Sequence, residues 1–144
     1  MGGNNILEKS QLVFDENYIG SIATINDDGS PWSTPLHMVK DGEYIYWFSN
    51  EDKIHSRNIA RDPRVSLSLF SANPSCGLKG VYVNGRAEMV EQDRRDEIWS
   101  MFSSKLGDKV PPGMEKSRAY RLALGDISRD KSTSNCWYFY SQKG

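Results

Sequence analysis

The chain has 144 residues, of which 38% are hydrophobic and 11% aromatic, so its composition predicts a packed globular protein rather than a disordered one. We expect residues 1–144 to form one domain, with only about the first five residues disordered. The formal net charge of -1 argues against a nucleic-acid partner, and no stretch approaches the ~18 consecutive apolar residues of a membrane-spanning helix.

The first half of the chain predicts a short helix and then strands joined by tight turns. The helix is expected at 6–14 and the strands at 18–26, 31–40 and 43–49. Asp27-Asp28-Gly29 predicts a hairpin, because glycine adopts a positive φ at little cost. Pro35 favours an edge position or a bulge for its strand, since proline cannot donate a hydrogen bond to the sheet.

The second half predicts a short helix within 49–63, strands at 64–70 and 79–91, a helix at 92–106 and two closing strands at 119–130 and 136–141. Six or seven strands with short turns indicate a mainly β fold, an antiparallel barrel or sandwich with a few short helices. The chain has no GxGxxG loop and no alternating βαβ rhythm, which argues against a Rossmann unit.

The two cysteines, Cys76 and Cys136, form neither a CxxC pair nor a disulfide framework, and their roles stay open. A reducing, cytoplasmic setting is the simpler interpretation, although the two residues are able to pair. Neither histidine has the cysteine or carboxylate spacing of a metal site, so no metal is expected.

The short helix is rich in cations and poor in apolar residues. Ser49 and Asn50 are suited to cap it, and Glu51 and Asp52 to occupy its first turn. Lys53 falls in that same turn, where the helix dipole disfavours a cation and a bound anion would relieve the cost. On periodicity alone a solvated basic face, with the acidic residues as counter-charges, is the favoured interpretation. An anion site is the alternative.

The order of several segments resembles the FMN-binding split β-barrels of the pyridoxamine 5′-phosphate oxidase family. The matching segments are DDGSP at 27–31, WFS at 47–49, KIHSRN at 53–58, DPRV at 62–65 and VYVNGRAEMV at 81–90. The resemblance covers residues 18–91 well and the remainder loosely. It implies an antiparallel split barrel of Greek-key type that works as a homodimer with flavin at the subunit interface. With it, phosphate binding becomes the favoured interpretation of the short helix.

The resemblance also implies which residues hold FMN. Lys53 and His55 are expected to hold the phosphate, with a further hydroxyl from Ser56. Ser49, followed by Asn50, is expected to contact FMN at the end of its strand. Backbone groups are expected to meet the flavin ring at Ser33, Thr34, Pro35 and Leu36. His55 stands where the family commonly has lysine, so phosphate affinity is expected to fall as pH rises. Trp137 is expected either to border the flavin or to pack within the barrel or dimer.

Other positions depart from the oxidase itself. Thr34 replaces an arginine and Gly80 a glutamine, and the closing CWYFYSQKG lacks the oxidase's arginine, histidine and RLxP-like signature. We therefore expect an oxidoreductase that transfers electrons through FMN to or from a small molecule, and not a true pyridoxamine phosphate oxidase. The alternatives are a non-catalytic FMN-binding stress or carrier protein, or a barrel that binds haem or the deazaflavin F420. No residue is assigned as general acid or base.

Overall fold

The computed structural model describes residues 2–73, 77–125, 127–128 and 136–141, and Cys76 lies outside them. The helices are α1 (Gly2–Glu16), α2 (Ile54–Arg61) and α3 (Arg95–Leu106). The strands are β1 (Ile19–Ile25), β2 (Pro31–His37), β3 (Val39–Asp41), β4 (Tyr44–Ser49), β5 (Arg64–Asn73), β6 (Gly77–Met89), β7 (Arg118–Ala123), β8 (Ile127–Ser128) and β9 (Cys136–Ser141). Short 3-10 turns lie at Gln92–Arg94, Gly107–Lys109 and Met114–Lys116. The disorder expected from the sequence for about the first five residues stays a prediction.

The strands form a curled antiparallel sheet, which confirms the predicted split barrel. Hydrogen-bonded neighbours follow the order β2-β1-β5-β6-β7-β4-β3, and β9 pairs with β6. The long strand β6 joins the two halves of the barrel: residues 77–86 pair with β5, and Ala87–Met89 pair with β7. Among the described strands, the short pair β8–β9 alone is parallel.

The hydrophobic side chains fall into two clusters, one inside the barrel and one beneath α3. Val65, Leu67 and Leu69 of β5 point into the barrel, as their alternation predicts. Strand β4 is buried on both faces: Ile45 and Trp47 belong to the first cluster, and Tyr46 and Phe48 belong to the second. The second cluster also takes in the apolar stripe of α3: Ile98, Trp99, Phe102 and Leu106.

The sequence predicts one strand at 31–40, but the structure divides it at Met38. The Met38 amide donates to the Tyr18 carbonyl at 2.9 Å, and the chain then leaves β1 to pair with β4. This division, and a similar one between β7 and β8, explain why the predicted six or seven strands are too few. Pro35 does lie on an edge strand, because β2 stands at the end of the sheet order.

No helix within the described residues is long and apolar enough to cross a membrane.

Candidate functional site

Helix α2 begins later than its predicted capping residues indicate. Ser49 is the last residue of β4 and pairs with Arg118 of β7, while Lys53 takes the N-cap position with an extended backbone. No side chain caps α2, and its first turn contains no acidic residue. The prediction that Ser49 and Asn50 cap the helix, and that Glu51 and Asp52 begin it, is therefore wrong. The reason is that the side chains of Ser49, Asn50 and Glu51 form hydrogen bonds with other residues instead of capping the helix.

The turn between β4 and α2 is fixed from the side of β7. The Ser117 hydroxyl donates to the Asn50 amide oxygen at 3.3 Å, and the Arg118 guanidinium donates to the Glu51 carboxylate at 2.8 Å. Each contact joins residues 67 positions apart, so no local sequence signal pointed to Ser117 or Arg118. Lys53 itself is exposed and has no ion-pair partner among the described residues. The ammonium group of Lys53 is therefore accessible to a ligand, next to the exposed carboxylate of Asp52.

His55 points inward and contacts Ser49. The ring Nε2 and the Ser49 hydroxyl lie 2.6 Å apart, and both residues are buried. Burial lowers the pKa of His55 below its ordinary value of 6.5, and the nearby charge of Lys53 lowers the pKa further. The imidazole is therefore neutral near pH 7 and orients the Ser49 hydroxyl. A role for His55 as a phosphate ligand stays a prediction.

Ser56 also lies on the inner side of α2. It is 3% exposed, and its hydroxyl lies close to the phenol of Tyr120 without the geometry of a full hydrogen bond. The pKa of Tyr120 is raised mainly by burial, and the contact with Ser56 acts in the opposite direction. The hydroxyl of Ser56 is therefore directed toward the barrel, and its predicted contact with the phosphate stays a prediction.

Helix α2 is held to the β1–β2 hairpin by a polar network that the sequence analysis did not identify. The Asn58 amide donates to the Thr24 hydroxyl and to the Asn26 side-chain oxygen, at 3.0 Å each. Arg61 donates to the Ile25 carbonyl at 2.6 Å and to the Asn58 side-chain oxygen at 3.0 Å. The sequence shows Asn58 within a short helix but does not show its burial, and only a buried side chain requires such partners.

The predicted ring-binding strand, β2, packs against both β4 and α2. Thr34 pairs with the buried Ile22 and is half-buried, as is Leu36. Ser33 and Pro35 are exposed on the opposite face, where the Ser33 hydroxyl lies 3.1 Å from that of Ser21. The structure therefore brings Thr34 and Leu36 to the side of α2, and leaves one edge of β2 without a strand partner in the described sheet.

Trp137 is not brought to the same place within one chain. It lies in β9, pairs with Tyr82 of β6 and lines a shallow depression of about 230 Å³ with Ser66, Tyr82 and Asn84. Its neighbours in β9, Cys136 and Tyr138, point into the core. Trp137 therefore belongs to the outer face of the sheet.

The structure explains why Gly80 departs from the oxidase. Gly80 pairs with Phe70 and Phe139, and a Cβ at this position would lie 2.6 Å from the Phe139 ring and too close to the Leu69 carbonyl. A glutamine would require the strand and the aromatic ring to move. The absence of the oxidase's glutamine is thus part of the packing of this sheet.

The arrangement is suited to hold an anion. The first backbone N–H groups of a helix have no carbonyl partner within the helix, and at the start of α2 no capping side chain accepts a hydrogen bond from them. Lys53 adds a positive charge at the same point. No cluster of three or more histidine, cysteine or acidic side chains in the described part of the chain has the geometry of a metal site.

Comparison with solved structures shows the same fold in proteins of low sequence identity. A protein of unknown function from Agrobacterium tumefaciens str. C58 has a TM-score of 0.67 at 17% identity, covering 92% of this chain and 56% of its own. A heme binding protein from Mycobacterium smegmatis has a TM-score of 0.67 at 20% identity, covering 81% and 50%. This chain therefore spans only about half the length of these two proteins.

A third neighbour is closer in size. It is a FAD-binding protein from Mesorhizobium loti, with a TM-score of 0.62 at 24% identity, covering 81% of this chain and 85% of its own. No curated protein matches the sequence. The sequence profile described as pyridoxamine 5′-phosphate oxidase matches residues 6–129, well over half of the chain. The chain therefore belongs to the pyridoxamine 5′-phosphate oxidase family.

Proposed function

We propose that this protein binds FMN and transfers electrons through it as an oxidoreductase. The observation that carries the proposal is the anchored, uncapped N-terminus of α2 with Lys53 beside it. Unpaired N–H groups and the helix dipole favour a phosphate at such a position. Because Ser117 and Arg118 fix the preceding turn, a phosphate there would meet groups that are already in place.

The flavin ring would lie along the free edge of β2. Main-chain groups of an unpaired edge are available as donors and acceptors, and Thr34 and Leu36 face the side of β4 and α2. Ser49, oriented by His55, would contribute a hydroxyl at the end of β4. When bound, the flavin would supply the hydride or electron chemistry, while these residues bind and orient it.

We further propose that the protein works as a homodimer with flavin at its interface. The outer face of β1, β5, β6 and β9 exposes several large apolar side chains: Ile19, Phe70, Leu78 and Tyr82. Phe70 is 56% exposed, and several exposed apolar side chains on one face are typical of an interaction surface. A second copy that covers this face would place Trp137 at the interface. The single-domain organisation and the cytoplasmic setting stay predictions from the sequence.

The first test is a visible absorption spectrum of the purified protein after incubation with FMN and desalting. Retained flavin absorbance at one FMN per chain, with a dimeric mass by light scattering, is the expected result. A folded protein that stays colourless would overturn the proposal. A donor screen with NADH and NADPH follows: negligible reduction of the bound flavin by either would instead support a non-catalytic FMN carrier.

Haem binding is a second candidate, supported by the name of the M. smegmatis neighbour. It is disfavoured because His55 is buried and already bonded to Ser49, which leaves half-buried His37 as the other histidine. Native mass spectrometry of the protein as purified distinguishes FMN, haem and F420 by mass.

A further inference from the structure

Arg95 stands where helix electrostatics disfavour a cation. It is the first residue of α3, at the positive end of the helix dipole, whereas the acidic residues after it, Asp96 and Glu97, are favoured there. Arg95 is buried, and its one described ion pair is with Asp96, at 3.2 Å. The Asp96 side chain is 95% exposed, so water screens this pair. Other contacts must therefore hold the buried guanidinium in place.

Two of these contacts are with the loop that follows α3. The Arg95 Nε donates to the Ser117 carbonyl at 2.8 Å, and a terminal nitrogen of the guanidinium donates to the Glu115 carbonyl. Both carbonyls lie at the end of the 3-10 turn Met114–Lys116, where the last C=O groups have no partner within the turn. The guanidinium therefore ties this loop to the start of α3 by two charge-assisted hydrogen bonds.

The same guanidinium lies against two aromatic rings. Its central carbon is 5.2 Å from the centroid of the Phe48 ring and 5.5 Å from that of Trp99. Phe48 is buried, and it directly precedes Ser49 at the end of β4. Cation–π contacts of this kind fix the plane of the guanidinium as well as its position. Arg95 thus contacts both the loop and the end of the strand that leads into the turn at 50–53.

Ser117 connects Arg95 to that turn. The Ser117 carbonyl accepts from Arg95, and the Ser117 hydroxyl donates to the Asn50 side chain at 3.3 Å. The Asn50 carbonyl in turn accepts from the Lys53 amide at 3.3 Å, which closes the turn before α2. We propose that Arg95 is a positioning residue for the phosphate turn and that it acts through Ser117. This inference rests on the proposed function, because the turn is the proposed phosphate position.

The test compares Arg95→Met with a matched control, Arg121→Met. The two arginine side chains are similarly buried, at 10% and 13% exposure. Arg121 also lies over an aromatic ring, 4.6 Å from the centroid of Tyr44, and it donates to the Glu88 carboxylate at 2.6 Å. None of the described contacts of Arg121 reaches residues 50–53. The control therefore removes a buried arginine of the same kind without touching the turn.

Each variant is measured in two ways, under conditions where urea unfolding shows it to be fully folded. The first is the Kd for FMN from a fluorescence titration, and the second is hydrogen exchange of the Lys53 amide in the flavin-free chain. We expect Arg95→Met to raise the Kd about five- to tenfold, because the phosphate groups are no longer held in place beforehand. We expect its Lys53 amide to exchange about tenfold faster. Arg121→Met should change both quantities less than twofold, even where it lowers stability as much.

The route through Ser117 has its own test. Ser117→Ala removes the hydroxyl that reaches Asn50 but keeps the carbonyl that accepts from Arg95. Loss of one such hydrogen bond should raise the Kd for FMN about threefold. Because both residues act along one path, the double variant with Arg95→Met should bind FMN no more weakly than Arg95→Met alone. Effects that multiply in the double variant would overturn the route.

The inference as a whole is overturned if folded Arg95→Met matches Arg121→Met in both FMN affinity and Lys53 exchange. Arg95 would then only pack α3 against the loop. Should Arg95→Met not fold, Arg95→Lys replaces it, since lysine keeps the charge and donates to one carbonyl; we expect it to raise both quantities about threefold. A wild-type chain that binds no FMN refutes the proposed function instead, and the exchange rate of the Lys53 amide then decides the role of Arg95.

Discussion

Replacement of Lys53 by glutamine tests the proposed phosphate site most directly. Lys53 is exposed at the N-cap position of α2, and no described side chain pairs with it. A surface substitution of this kind changes the free energy of unfolding by about 0.5 kcal/mol or less. We therefore expect Lys53→Gln to fold with wild-type stability, so that any loss of FMN affinity reports on the site itself.

The expected loss follows from the exposure of the ammonium group. A hydrogen bond to a charged group contributes about 1.5–3 kcal/mol, and solvent screening at an exposed position reduces this to about 1–2 kcal/mol. That difference corresponds to roughly a 5- to 30-fold higher Kd for FMN. Added salt should narrow the gap between wild type and variant, because it screens the charge that only the wild type retains.

The assay is a titration of FMN fluorescence at pH 7.5 and fixed ionic strength. The matched control is Lys109→Gln, which removes an equal charge from an exposed lysine located over the Tyr18 ring. We expect the control to bind FMN as the wild type does. If folded Lys53→Gln also binds FMN with unchanged affinity at low salt, the end of α2 is a solvated basic face and the reasoning is refuted.

Three further predictions concern stability, each measured by urea unfolding. Burial and a neighbouring cation lower the pKa of His55 in the folded state. The contribution of His55 to the free energy of unfolding is therefore complete above the unfolded pKa of about 6.5, and it is lost as pH falls toward the folded pKa. His55→Gln should therefore flatten the slope of unfolding free energy between pH 7 and 5, and an unchanged slope would contradict this assignment. Phe102→Ala should lower the free energy of unfolding by about 3–5 kcal/mol, because the ring is fully buried beneath α3. Leu12→Ala, at a 47% exposed position, should lower it by less than about 1 kcal/mol. Similar losses in the two variants would contradict the second hydrophobic cluster. Gly80→Ala should lower the free energy of unfolding by about 1–3 kcal/mol, and by more than Gly20→Ala. The reason is that the new Cβ meets main chain at position 80 but a flexible methionine at position 20. A larger loss for Gly20→Ala would contradict this account of the packing.

Alternation of side chains predicted a mainly β fold, either an antiparallel barrel or a sandwich, and the family resemblance implied the split barrel. Val65, Leu67 and Leu69 lie where a period of two places them, and the turn predicted at Asp27-Asp28-Gly29 precedes β2 in the structure. The start of α2 was not predictable in this way. Ser49 has the chemistry of a cap, but its hydroxyl bonds to His55, and Asn50 bonds to Ser117, which is 67 residues away. Such contacts override the local capping preference of these residues, and they form only when distant parts of the chain have folded together.

The candidate site was only partly predictable for a related reason. A sequence pattern treats the basic residues of 53–61 as one set, and helical spacing separates them only into faces. Whether a face turns toward water or toward the barrel depends on what packs against it. The structure places His55 inward and Lys53 outward, so of these two side chains only that of Lys53 is exposed to solvent.

This separation also explains why a helix of eight residues carries so little apolar surface. A helix this short is unstable in water by itself, so tertiary contacts must hold it. Ile59 packs into the barrel core, and α2 also buries Asn58 and His55, whose hydrogen bonds fix its position and its rotation. Fixed rotation keeps Lys53 and Arg57 exposed, and neither has an ion-pair partner among the residues that the structure describes. The phosphate site proposed at this end of α2 would need both the polar inner face, which holds the helix, and the cationic outer face, which a ligand can reach.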